Sequence, residues 1–292
     1  MDVAGLLKSM SVSDATSIQP VSGGWDTALW RVEAGSTTYA LRVFPTGRDA
    51  SCRFEAEVMR AAREGDLPVP RVHAQGALEG RPALLLDWCP GRTLLAELLA
   101  HPWRVWTLGH AFGKMQARIH QVKAPAVLHE RRDAWLEWAG PGQHELISAI
   151  QALAPRQDAL LHLDFHPLNV MTDGTRINAV IDWANALAGD PRADVARTYT
   201  ILRVLPAEPG SPPLVMNLFR YLLARTWRRG YEQVAGRLVD LGLFYVWAGT
   251  VMVRDLAPKV GRPGIWLQQR HLDHVQSWTN HWRHRMGLAA GR

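Results

Sequence analysis

Residues 162–170 read HLDFHPLNV. His162, Asp164, His166 and Asn169 stand in it among apolar neighbours. A fold that buries the apolar residues must find partners for the polar ones, since an unpartnered polar group costs several kcal/mol to bury. Such a stretch is either a polar knot that holds a turn together or a place where chemistry happens. The residues downstream favour chemistry. INAVIDW, residues 177–183, reads as an apolar strand ending in an acid, Asp182, and AGDPRADVAR comes after it at 188–197.

The rest of the chain supplies a scaffold of two halves. VSGGWDTALWRVEA (21–34) and TTYALRVF (37–44) alternate apolar and polar residues around a Gly-Ser turn, a hairpin pattern. In residues 48–64, Phe54, Val58 and Ala61 or Ala62 fall at helical spacing, and Gly65 and Pro68 end the helix. Short strands follow near 72–77 and 82–87. CPGR at 89–92 reads as a turn and a lobe boundary. Beyond it the pattern predicts helices over 103–122, 144–152, 192–204, 213–230, 234–256 and 264–287, with strands only near 168–172 and 177–182. The expected fold class is α+β. A β-rich lobe of residues 1–88 precedes a larger helical lobe of residues 89–292. A chain of 292 residues is long enough for both.

Composition excludes several classes. The first residues lack the basic start, apolar core and cleavage pattern of a secretion signal, and runs such as PALLLDW (82–88) are too short to span a bilayer. The expectation is a cytoplasmic protein that does not enter membranes. Cys52 and Cys89 lack metal-ligand spacing and read as small reduced hydrophobes. The net charge of +6 suits an anionic ligand. Arg270 to Arg292 mixes Arg and His with Trp278 and Trp282. No nucleic-acid motif accompanies it, so it reads as an amphipathic helix with a solvated basic face.

The polar residues of 162–170, with Asp182 beyond them, suit phosphoryl transfer. That reaction needs metal ions on the phosphates and an acceptor hydroxyl held in line. Mg²⁺ takes oxygen ligands, one or two of them from the protein. Asn169 offers an amide oxygen, Asp182 a carboxylate, and Asp164 a group that accepts or orients the acceptor's proton.

H-x-D-x-H-x-x-N, then I-D-W, then G-D-P-x-x-D-V-A resembles the aminoglycoside phosphotransferase and choline kinase-like group of small-molecule kinases, whose fold is protein-kinase-like. The resemblance covers roughly residues 18–200. SGGWDTALWRV is similar to that group's glycine loop, FEAEVMRAAREGDLPVPRV to its first helix and next strand entry, and LLLDWCPGRTL to its hinge. It implies ATP and Mg²⁺ as cofactors and a small-molecule hydroxyl as acceptor. Asp164 would be the catalytic base, and Asn169 and Asp182 the metal ligands. Gly23, Gly24, Ala40, Arg42, Glu55 and the backbone of Asp87, Trp88 and Cys89 would form the nucleotide site. His162 would brace the catalytic loop, and His166 would either brace it or touch substrate. Asp190 and Asp194 would support the loop, Asp190 as a helix cap before Pro191.

Two positions depart from the pattern. The group has lysine where this chain has Arg42. Its helix glutamate matches Glu55, with Glu57 as the alternative. Arginine keeps the charge, but its plane and size differ. Either Arg42 does the lysine's work with shifted geometry, or the chain is a kinase-like nucleotide binder with weak or no catalysis. Leu163 stands where the group usually has glycine. The acceptor is less legible. Glu130, Asp133, Glu137 and Glu145 in 126–146 are mixed with Arg131 and Arg132, and the whole chain is basic, which argues against a polycationic aminoglycoside. Trp103, Trp106, Trp135, Trp138, Trp227, Trp247 and Trp266 would suit an aromatic cage for a cation, but each is more often core.

Overall fold

The computed structural model describes residues 2–21, 27–131, 134–205, 213–262 and 265–289; it does not describe the side chains of Glu130, Arg131 and Pro213. Gly23 and Gly24 lie outside the described residues, as do Arg132 and Asp133 and the side chains of Glu130 and Arg131.

Helix α1 (Val3–Ser9) precedes strands β1 (Ala15–Val21), β2 (Ala28–Ala34) and β3 (Thr37–Val43). Helix α2 (Asp49–Glu64), β4 (Val72–Leu78) and β5 (Arg81–Asp87) follow. The five strands form one antiparallel sheet in the order β1-β2-β3-β5-β4. Alternation divides its faces. Leu41, Val43, Ala83 and Leu85 point to a small core with Leu6, Leu7 and Met10 of α1 and its exit. Leu84 and Leu86 point the other way and join α2 residues Ala56, Val58 and Met59 in the main core. Strand β5 is therefore buried on both sides, which explains its unbroken apolar run.

The rest is largely helical. Strand β6 (Arg92–Thr93) leads into α3 (Leu94–Ala100), α4 (Val105–Gln121), α5 (Ala134–Glu137) and α6 (His144–Gln151). Then come β7 (Ala159–Leu161), β8 (Val170–Thr172), β9 (Ile177–Val180) and β10 (Leu187–Gly189). Strands β6, β8 and β9 form one small sheet, and β7 pairs with β10. Helices α7 (Pro191–Arg203), α8 (Pro213–Ala235), α9 (Gly242–Leu256) and α10 (Gln269–Arg285) complete the described chain.

Most expected elements are present, with instructive differences. The span 103–122 begins as a 3-10 turn, Pro102–Arg104, because proline opens a helix readily but cannot sit within one. The helix expected over 234–256 is two pieces: α8 runs on to Ala235, and Gly236, at φ +77°, ends it in the left-handed conformation that glycine tolerates. Helices α1 and α3, at seven residues each, and strands β6, β7 and β10, at two or three, are too short for periodicity to reveal.

Helices α4 and α8 approach at glycines. A Cβ on Gly113 would run into the Trp227 carbonyl oxygen and lie 2.6 Å from the Tyr231 nitrogen. One on Gly230 would meet the His110 carbonyl. This closeness seats Trp227 and Tyr231, both buried, beside the polar residues of α4. The tryptophans settle accordingly: Trp135, Trp227 and Trp247 are fully buried in the core, while Trp103 and Trp106 are exposed. They form no cage. Helix α10 buries Leu272 and Val275 and carries its Arg and His mostly outward, the amphipathic form expected. No described helix is long and apolar enough to cross a membrane.

Replacing Gly113 by alanine should force α4 and α8 apart and destabilise the fold by about 2 kcal/mol or more, within the range for overpacked cores. Urea unfolding of the two proteins measures it.

Candidate active site

Residues 162–169 bridge β7 to β8, and Asp182 lies just past the end of β9. The pairing of β8 with β9 brings these segments together, and the Ile181 amide donates to the Asn169 carbonyl at 2.9 Å.

The loop is held from helix α7 at three points. The Asp194 carboxylate accepts the amides of His162 (3.0 Å) and Leu163 (2.9 Å). Arg197 Nε lies 3.4 Å from the Leu163 carbonyl, and Thr198 Oγ1 donates to the Phe165 carbonyl at 2.9 Å. Positions 194, 197 and 198 share one helix face. Each is backed by another helix. His120 of α4 sits 2.9 Å from Asp194, and its other ring nitrogen is 2.8 Å from the Tyr231 hydroxyl of α8. Gln116 donates to Thr198 at 2.9 Å and accepts from Trp227 at 2.8 Å. Arg197 pairs with Asp255 of α9 at 3.4 Å. Burial alone would raise the Asp194 carboxyl, but the bond and charge from His120 and the hydrogen bond from the His162 amide outweigh it and hold it below the usual range.

Leu163 has φ +59°, a conformation costing an L-residue roughly 1–2 kcal/mol. That explains why glycine suits the position. Leucine is accommodated because its side chain is fully buried, a gain of about 1.5–3 kcal/mol that offsets the strain. Asp182 also sits at positive φ, +64°.

Asp164, Asn169 and His166 meet in one cluster. Asn169 Nδ2 donates to the Asp164 carbonyl (3.0 Å) and to its carboxylate (3.2 Å). Both partners are acceptors, so the amide must present nitrogen there. Its oxygen makes no hydrogen bond with a described residue. His166 takes the Leu168 amide on Nδ1 at 3.3 Å and places Nε2 3.5 Å from Asp164. Burial would raise the Asp164 carboxyl; the hydrogen bond from His166, with the Arg197 charge, holds it at about 2. His162 is fully buried. Burial lowers its pKa, and the neutral ring donates Nε2–H to the Ile181 carbonyl at 3.1 Å. It braces the loop.

On the sheet side, Arg42 reaches three partners. Nη1 bonds Glu55 at 2.5 Å, Nη2 lies 3.4 Å from Asp182, and Nε donates to Thr27 at 3.1 Å. Burial works against its charge, but Glu55 and Asp182 outweigh it and raise the pKa further. Glu55, 1 % exposed, is thus the glutamate that meets Arg42, and Glu57 points to solvent. Thr27 carried no signal in the sequence beyond its place after the glycines. Ala40 lies on the same strand face as Arg42. The Asp87 amide donates to Arg71 and the Trp88 amide to Thr38, so of the three segment amides only that of Cys89 has no partner among the described residues. The Asp87 side chain is engaged by His73 at 2.6 Å. Asp190 caps α7 by accepting the Arg192 amide, as expected, and also takes the Arg156 amide. Burial pushes the Cys52 and Cys89 thiols up to about 11, which keeps both protonated.

Among the described residues no group of three or more His, Cys, Asp and Glu could hold a metal. The oxygens whose chemistry suits Mg²⁺ are the Asn169 amide oxygen and the Asp182 carboxylate, both hard donors.

Comparison with known proteins places these residues in context. The profile of the Phosphotransferase enzyme family matches residues 17–235. Hygromycin-B 4-O-kinase of Escherichia coli is 47 % identical over 130 residues, which is 38 % of this chain and 36 % of that protein. The chain therefore matches about a third of that relative's length. Among solved structures, a thermostable mutant of aminoglycoside phosphotransferase APH(4)-Ia in ternary complex with AMP-PNP and hygromycin B superposes with TM-score 0.67 at 18 % identity, covering 96 % of this chain and 98 % of the other. Spectinomycin phosphotransferase APH(9)-Ia, in complex with ADP and spectinomycin, gives 0.57 at 12 % identity, covering 90 % and 89 %. The fold is the protein-kinase-like one of these enzymes.

The anchoring of the loop has two measurable consequences. Leu163→Gly should relieve strain yet lose more in burial, lowering stability by about 2 kcal/mol in urea unfolding. Asp194→Asn should cost about 3 kcal/mol at neutral pH. The native carboxyl lies below its unfolded value of about 4, so its contribution is fully present above that pH and is lost as pH falls through the folded value. With Asp194→Asn in place, stability should therefore vary less with pH below about 4, read from urea midpoints between pH 2 and 7.

Proposed function

We propose that this chain, which belongs to the Phosphotransferase enzyme family, moves the γ-phosphoryl group of ATP to a hydroxyl of a small molecule with Mg²⁺ as cofactor. The observation that carries the reading is the Asn169 amide. Its nitrogen is committed to Asp164 and its oxygen is left for a cation, while Asp182 stands close enough to contact Arg42.

Each residue has a distinct role. Asp164 orients the acceptor hydroxyl and receives its proton as the new phosphate ester forms. A carboxyl held at about 2 is a weak base at neutral pH, so orientation is the larger part of its work. Asn169 and Asp182 hold Mg²⁺, which when bound neutralises charge on the phosphates. Arg42 supplies a fixed cation on the phosphate side, steadied by Glu55. Gly23 and Gly24 give the backbone close approach to phosphate. Ala40 leaves room for the base, and the free Cys89 amide is the adenine-edge donor, with Asp87 and Trp88 shaping the segment through their own bonds. His162, His166, Asp190 and Asp194 support the loop. We place the nucleotide lobe at 1–88 and the acceptor side in 89–292. The chain acts in the cytoplasm and uses no nucleic acid.

Among the relatives are a hygromycin-B 4-O-kinase and an aminoglycoside phosphotransferase solved with hygromycin B. In this chain residues 191–292 carry 15 Arg and Lys against 6 Asp and Glu. That balance supports a neutral or anionic acceptor over a polycation.

Calorimetry of ATP with and without Mg²⁺ tests the reading. Mg²⁺ should tighten ATP binding, and Asp182→Ala should abolish that gain. Wild-type activity in Asp182→Ala would remove Asp182 from the metal site. Arg42→Lys should weaken ATP about tenfold, because an ammonium cannot reproduce the guanidinium fork that spans Thr27, Glu55 and Asp182; tighter binding would mean that arginine impairs the site.

A further inference from the structure

Of the three grips that α7 places on the catalytic loop, two end in the interior. Tyr231 and Trp227, which back Asp194 and Thr198, are 1 % and 0 % exposed. The third reaches outward. Arg197 is buried, but the side chain of its partner Asp255 is 36 % exposed. Asp255 is shared with Arg254, whose guanidinium lies 2.8 Å away. Arg197 holds the carbonyl of Leu163 while Asp194 holds the amide of the same residue. Leu163 is the strained left-handed residue immediately before Asp164. A residue in that conformation stays there only when its surroundings fix it, and here the peptide groups on both sides of it are fixed from one helix.

We propose that Arg197 is a positioning residue for Asp164, and that Asp255 of α9 sets where Arg197 stands. The proposal rests on Asp164 being the group that orients the acceptor hydroxyl. Arg197 touches no reacting atom. It acts through the Leu163 carbonyl, and without it the Leu163–Asp164 peptide is free to rotate while the amide side stays on Asp194. A displacement of about 1 Å at a reacting group costs on the order of 100-fold in rate.

The test uses the full chain with Arg197→Met, Arg197→Lys and Asp255→Asn, and Mg²⁺-ATP with water as the phosphoryl acceptor. Two quantities are read: steady-state ATP hydrolysis, and amide hydrogen exchange across residues 162–166. In Arg197→Met, kcat should fall roughly 10- to 100-fold, with the KM for ATP within about twofold, and exchange in the loop should rise about tenfold. Arg197→Lys should recover part of both. Asp255→Asn should shift both in the same direction by less. A folded Arg197→Met protein with wild-type kcat and wild-type exchange overturns the proposal. So does lower stability with kcat unchanged, the mark of a purely structural ion pair. If Arg197→Met does not fold, Asp255→Asn decides: unchanged exchange across 162–166 overturns the proposal. If the wild type neither binds ATP more tightly with Mg²⁺ nor turns it over, it is the phosphotransferase reading that fails, and loop exchange alone still settles the role of Arg197.

Discussion

The Asp194 carboxylate, fully buried, accepts two consecutive backbone amides and a histidine N–H. An ionised carboxylate in that position is tolerable only with every donor in place, since an unpaired buried charge costs several kcal/mol. The requirement propagates outward. His120 must be aimed by the Tyr231 hydroxyl, and Tyr231 can come that near only because Gly113 and Gly230 let α4 and α8 touch. Three helices are thereby committed to the position of one loop. The loop carries the residue argued to orient the acceptor, so packing far from the chemistry and the geometry of the chemistry become one problem.

The motif residues were legible in the sequence because their spacing is set by local chain geometry. Asp164 and Asn169 share a loop, and Asp182 follows a short strand that pairs back onto it. Asp190 before Pro191 was legible for the same reason, being a helix cap. The supports were not. Gln116, His120, Thr198 and Tyr231 lie at ordinary helical positions, and only tertiary packing turns their polar groups toward the loop. Glu55 and Glu57 could not be told apart by counting, but burial separates them at once. Thr27 had no signal, because its contact exists only where a guanidinium Nε reaches it. The tryptophans went the opposite way: abundant in sequence and suggestive of a cage, they are largely spent on the core.

Arginine at position 42 departs from the pattern, and its shape decides which partners it can meet. A lysine presents one compact charge, while the guanidinium presents a planar fork with several directed donors. Here three of its nitrogens meet three different partners on three segments: the residue after the glycine loop, helix α2, and the acid beyond β9. The cation therefore ties strand β3 to helix α2 and to the segment beyond β9, the two sides proposed to hold phosphate and metal. It follows that Asp182 is held by a neighbour whose charge competes with a metal for the same carboxylate. At 3.4 Å the contact is long, and weaker than the 2.5 Å bond to Glu55. A divalent ion brings twice the charge of the guanidinium. On the proposed reading, such an ion would compete with the longer contact and not with the shorter one. On that reading, Arg42 would hold Asp182 near the position where it meets the metal, with Glu55 retaining Arg42 on the phosphate side.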